Sequence, residues 1–225
     1  MFPGFPAEAL TFLRNLARHN DREWFQARKE IFETKLKAPM TELVEILNGE
    51  MLKFAPEHIT DPKKAIYRIY RDTRFSNDKS PYKTHIAAVF PTRGLPKHEG
   101  AGAYFHVSPD EVWVGGGMYM PQPPQLVAVR EHIASHLKQL RAIVESTGFR
   151  KHVGTLHGDT LKRVPRGFPA DHPAAEYLKF RHFVAGAEFP PAFATSPAFY
   201  KTLLTVFRQV TPLTRFLNAP LLKSV

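Results

Sequence analysis

The chain contains no cysteine. Disulfides, thiolate metal ligands and a cysteine nucleophile are therefore excluded together. Long apolar runs are missing as well, since no stretch approaches the ~18 apolar residues that a membrane span needs. The opening Met1-Phe2-Pro3-Gly4-Phe5-Pro6 carries no basic residue, and its prolines and Glu8 interrupt any apolar run. It does not read as a signal peptide. These absences predict a cytoplasmic protein with no membrane association.

Signature motifs are scarce too. Gly115-Gly116-Gly117 fits neither the phosphate-cradling G-x-x-x-x-G-K-[ST] nor the dinucleotide G-x-G-x-x-G. It reads as a bulge or as a strand packed closely under another element. No G-x-S-x-G nucleophile turn occurs, and no spaced carboxylate pair suggests acid–base chemistry. His132 and His136 have the i, i+4 spacing of metal ligands, but no third ligand accompanies them. No metal, cofactor or catalytic residue is assigned.

What is present describes a well-packed basic chain. Its 225 residues suit one domain over 1–225, and 18 Phe, 7 Tyr and 2 Trp are ample for a core. Lys plus Arg exceed Asp plus Glu by 31 to 21, a net charge of +10 that favours anionic partners.

The first third reads as helical. Leu10, Leu13 and Leu16 recur at helical spacing after Pro6, Asn20 stands where an N-cap would, and Pro39 should break or kink the next helix. Ala65–Arg71, His85–Phe90, Ala103–Val107 and Val112–Val114 read as strands, with Ser108-Pro109-Asp110-Glu111 as a hairpin turn. Leu126 to Val144 reads as one helix stopped by Gly148, and His182–Ala185 as a further strand. Ser196 and Pro197 open a last helix that Pro212 should kink or end. The expected class is α+β, with a mostly antiparallel central sheet of about four to six strands. Helices from the N- and C-terminal parts should cover it.

The functional signal concentrates in residues 66–85. Arg68, Arg71, Arg74, Lys79 and Lys83 lie there beside Tyr82 and His85. Arginine matches carboxylate and phosphate oxygens with a planar fork, and lysine adds a mobile charge. Arg71, Arg74 and Lys83 would anchor an anion, Tyr82 and His85 would orient the rest of the ligand, and Arg163 would contribute from outside. The competing reading pairs Asp72 and Asp78 with Arg71, Arg74 or Lys79 as an ion-pair network that pins a loop. His85 and His106 should share a sheet, and could converge with Glu111 or Asp78 on a metal or a proton-transfer site.

The run Tyr67–His85 (YRIYRDTRFSNDKSPYKTH) resembles the hallmark of a family of conserved hypothetical proteins, catalogued as domain of unknown function 2461. Tyr104-Phe105-His106, Gly115 to Pro121 and Leu161 to Phe168 resemble its later blocks. The resemblance implies a compact α+β domain of bacterial and some fungal cytoplasm, and it brings no established activity, cofactor or catalytic residue. The residues themselves point first to a small phosphate- or carboxylate-bearing ligand. A nucleic-acid-binding domain is the second reading, its basic residues on phosphates and its tyrosines stacked on bases. The third is a non-catalytic scaffold or interaction protein with a Phe-rich surface near Phe2 and Phe5. The oligomeric state is not legible.

Overall fold

A computed structural model describes residues 1–222. Helix α1 (Ala7–Arg18) starts directly after Pro6 and buries Leu10, Leu13 and Leu16, as their spacing requires. Helix α2 (Arg22–Gln26) is capped one residue later than expected, because the Asp21 carboxylate accepts from Trp24 N at 2.8 Å. Asn20 is used elsewhere, as described below. Helix α3 (Lys29–Ile31), a π-helical turn (Phe32–Lys37) and α4 (Ala38–Met51) then follow without interruption. Pro39 does not break this run. It falls in the first turn of α4, immediately after the π turn, where a missing N–H costs least.

The expected strand at Ala65–Arg71 is absent. Asp61 caps a short helix α5 (Pro62–Ala65), and residues 66–70 lie extended beside the sheet with isolated bridges only, Ile66 to Ala88 and Tyr70 to Tyr82. Of residues 66–70 only Ile69 is buried, and none joins a ladder.

Among the described residues four strands form: β1 (Ile86–Pro91), β2 (Gly102–Val107), β3 (Val112–Met118) and, much later in the chain, β4 (Phe183–Phe189). They pair antiparallel in the order β1-β2-β3-β4. The Ser108–Glu111 turn closes the central hairpin, with Ser108 N bonded to Glu111 O at 2.9 Å. Between β3 and β4 lie α6 (Pro123–Ser135), α7 (Leu137–Val144), α8 (Thr147–His152) and α9 (Ala175–Leu178). The single helix expected from Leu126 to Val144 is thus two, broken at His136 (φ −127°, ψ 32°). Gly148 does not stop it; Ser146 caps α8, which contains that glycine.

Helix α10 (Pro197–Leu222) crosses one face of the sheet and continues through Pro212, which neither ends it nor sets its boundary. A proline inside a helix costs ~3 kcal/mol. Each fully buried Val, Leu or Phe contributes about 1.5–3 kcal/mol, and α10 buries Leu203, Val206, Phe207, Val210, Leu213 and Leu217. Burial wins. Phe105 meets both Phe199 and Phe207 of α10, and Phe90 meets Phe207. One contiguous cluster of buried residues runs from Phe2 to Leu217. Phe2 and Phe5 belong to it at 1% and 3% exposure, so the Phe-rich surface expected near them does not exist. Among the described residues, no helix is long and apolar enough to cross a membrane.

Candidate functional site

Period-two alternation sends half of each strand toward α10 and half to the opposite face. On β2 and β3 the first set is Ala103, Phe105, Val107, Val112 and Val114, all buried. The second set, Tyr104, His106 and Trp113, is half-buried and faces a cavity of about 650 Å³. Among the described residues, no helix lines that cavity. Its far wall comes from two loops: Tyr67, Lys83 and His85 from the segment before β1, and Lys97 and His98 from the β1–β2 connection. Tyr67 is held at the sheet edge by its N–H, which donates to Ala87 O at 3.0 Å.

Two lysines flank the Tyr67 ring. Lys97 Nζ lies 4.4 Å from its centroid and Lys83 Nζ 5.3 Å. Their hydrogen bonds go to backbone carbonyls, Lys83 to Arg68 O at 2.9 Å and Lys97 to Lys64 O at 2.6 Å. Among the described residues no carboxylate pairs with either one. Burial lowers the pKa of both, and Arg68 adds to the effect at Lys83, as Lys83 does at Lys97.

A hydrogen-bonded chain runs along the sheet floor. Tyr104 Oη is 3.2 Å from His106 Nδ1, and His106 Nε2 is 3.1 Å from Glu111 Oε1. The Glu111 carboxylate can only accept, so Nε2 carries the proton, Nδ1 has the lone pair and the Tyr104 hydroxyl donates to it. Burial raises the Tyr104 pKa above its ordinary value, with Tyr67 next in effect, and burial lowers that of His106 against the pull of Glu188. His85, its ring 5.6 Å from that of His106, is lowered to about 4 by burial first and then by His106 and Lys83. Both imidazoles are thus neutral near pH 7.

The residues singled out in the sequence divide among several places. Lys83, His85 and His106 come together in the sheet-face cavity, joined by Glu111. Arg71, Lys79 and Tyr82 line a separate hollow of about 490 Å³ with Asn20, Arg22 and Tyr70. There Arg71 and Lys79 are already engaged. Arg71 pairs with Asp78, which also accepts from Ser80, and Lys79 donates to Thr73 O at 3.0 Å. Tyr82 is buried against Phe25, ring centroids 4.1 Å apart, and its backbone is clasped by Asn20, Nδ2 to O at 2.9 Å and N to Oδ1 at 3.0 Å. Arg74 forms a pair with Asp72 on an exposed turn. Arg68 and Arg163 are exposed and line neither cavity. Within the loop Arg71 and Arg74 thus pair with Asp78 and Asp72, and Arg68 takes part in neither pair.

His132 and His136 stack at 4.2 Å beside Phe216, and no group of three His, Asp or Glu side chains suited to a metal occurs among the described residues. Tyr67, Lys97, Tyr104 and Trp113 were not picked out as site residues. The signal for two of them was there: Tyr104 and His106 alternate with buried apolar neighbours, as Trp113 does between Val112 and Val114.

Residues 8–216 match the profile of the conserved hypothetical protein family DUF2461. The chain belongs to that family. No curated protein and no solved structure matches it. Of the four DUF2461-like runs in the sequence, three line the sheet-face cavity: Tyr67 to His85 supplies Tyr67, Lys83 and His85, Tyr104 to His106 the floor, and Gly115 to Pro121 supplies Gly116, Gly117 and Tyr119.

Proposed function

We propose that the open-face cavity binds a small organic anion bearing phosphate or carboxylate, with Lys83 and Lys97 as its anchors. The observation that carries this is the pair of partly buried lysines on one wall, neither of which pairs with a carboxylate among the described residues. Buried charge is ordinarily paired, and an anion between these lysines would supply the missing partner. His85 supports the reading as a neutral imidazole beside Lys83, able to accept or donate one hydrogen bond. Tyr104, whose proton goes to His106, would offer its hydroxyl oxygen to a bound ligand as a hydrogen-bond acceptor. The volume of about 650 Å³ lies within the range of small-molecule sites. The same proposal treats residues 1–225 as one cytoplasmic domain.

The test is thermal stability of wild type and Lys83→Met against phosphates, nucleotides, carboxylates, divalent metals and short oligonucleotides, at two salt concentrations. A saturable stabilisation by one anion, lost in the variant, is the expected result. A response confined to oligonucleotides and abolished by salt would transfer the function to nucleic-acid binding. Stabilisation unchanged in Lys83→Met would move the anion elsewhere.

A further inference from the structure

Trp113 lies across the floor of the cavity in a way that demands glycine beneath it. Gly115 and Gly186 are direct cross-strand partners on β3 and β4. A Cβ on Gly115 would come within 2.5 Å of Trp113 Cη2, and one on Gly186 within 2.7 Å of Cε2. The indole therefore rests against bare backbone of two strands, and its orientation is set by that floor. Tyr104 approaches it at 5.9 Å with a 50° tilt, and Tyr119 stands at the rim stacked on His182 at 5.3 Å.

From this we infer that the ligand carries a flat aromatic ring that stacks on Trp113, several ångströms away from its anionic group. The inference rests on the anion site proposed above. An aromatic ring over a glycine pair also restores packing that the glycines lack. That accounts for the covered side of the indole. It does not account for a cavity above it whose walls include Tyr104, Tyr119, the His106–Glu111 pair and two lysines that no carboxylate pairs with among the described residues.

The register sets the spacing. Trp113 is level with His106, His106 with Ala87, and Ala87 O accepts the Tyr67 N–H from outside β1, so the backbones that carry the ring and the lysine wall are three strand spacings, about 14 Å, apart. The wall is fixed at that distance because Tyr67, which both lysines flank, is bonded to Ala87. A ring joined directly to a phosphate is too short to engage both ends. A ring held off its phosphate by a sugar-sized spacer fits, as in a nucleoside monophosphate. Gly102 and Gly117 line the same cavity without side chains, which leaves room for such a spacer against the backbone.

Calorimetric titration with inorganic phosphate, ribose phosphate and adenosine monophosphate tests this on wild type, Trp113→Ala, Trp113→Phe and Lys83→Met. Adenosine monophosphate should bind wild type roughly tenfold tighter than ribose phosphate, the size of effect one stacked base gives. Trp113→Ala should erase that difference while keeping ribose phosphate binding, and Trp113→Phe should retain part of it. Lys83→Met should weaken all three probes alike. Thermal melts verify folding, and the phenylalanine variant alone decides the matter where alanine does not fold. Equal affinity of wild type for the two sugar-bearing probes, or a ring preference that survives in Trp113→Ala and is unchanged in Trp113→Phe, overturns the ring while leaving the anion site standing. If no probe saturates wild type, or Lys83→Met binds phosphate undiminished, the anion site falls and the inference with it.

Discussion

The Tyr104 hydroxyl and His106 Nδ1 lie 3.2 Å apart on the same face of β2, one alternation from each other, with Glu111 on the other side of the imidazole. Because the acid can only accept, the ring is committed to one tautomer, and the tyrosine proton is committed to the ring. Nitrogen-15 NMR of the imidazole should show Nε2 protonated and Nδ1 bare at neutral pH. Tyr104→Phe should leave this tautomer in place, whereas Glu111→Leu should release it to a mixture. A protonated Nδ1 in wild type would contradict the chain as described.

Acid should destabilise the fold through its buried histidines. His85 has a folded pKa of about 4 against an ordinary value of 6.5. Between those values the unfolded chain binds the proton and the native chain does not, so stability rises with pH across that window. It is fully present above about pH 6.5 and declines as pH falls toward 4. His58 and His106, also lowered by burial, act with the same sign. Melting temperature measured from pH 4 to 8 should fall on the acid side, with a shallower slope in His85→Asn. An identical slope would mean that His85 is not held neutral.

The loop before β1 should be pinned by a neutral side chain more than by its charges. Arg74 and Asp72 form an exposed pair, and such pairs are worth about 0–1 kcal/mol. Arg74→Ala should therefore change chemical denaturation by less than about 1 kcal/mol. Asn20→Ala strips both the N–H and the carbonyl of Tyr82 of their partners at a part-buried position, which should cost about 1–3 kcal/mol. The reverse ranking would refute this account of the loop.

The triple glycine should tolerate methyl groups poorly on the covered face as well. A Cβ on Gly116 would stand 2.8 Å from Val210 Cγ2 of α10 and 2.8 Å from Gly102 O. Overpacking of this kind costs about 1–3 kcal/mol, so Gly116→Ala should lower the denaturation midpoint clearly. Gly49→Ala, where nothing lies within 4 Å of the added carbon, is the control and should be neutral or stabilising.

The amino-acid sequence by itself determined the elements whose pattern is complete within a few residues. The apolar stripes of α1 and α10, the alternation of β2 and β3 and the Ser108–Glu111 turn are all settled by spacing along the chain. Membership of the family was legible for the same reason, since its blocks are contiguous. Boundaries failed where distant packing outweighed local preference: Pro212 stays helical because α10 is buried along its length, and Ile66 to Tyr70 stays out of the ladder although its residues suit a strand. The candidate site depended most on tertiary structure. Lys83 and Lys97 lie on either side of β1, and only the fold brings both to Tyr67. Arg71 and Asp78 are close in sequence, yet whether they bind a ligand or each other depends on where the loop is held. Which face of the sheet received α10 decided which side chains became core and which became a cavity, and no local period encodes that choice.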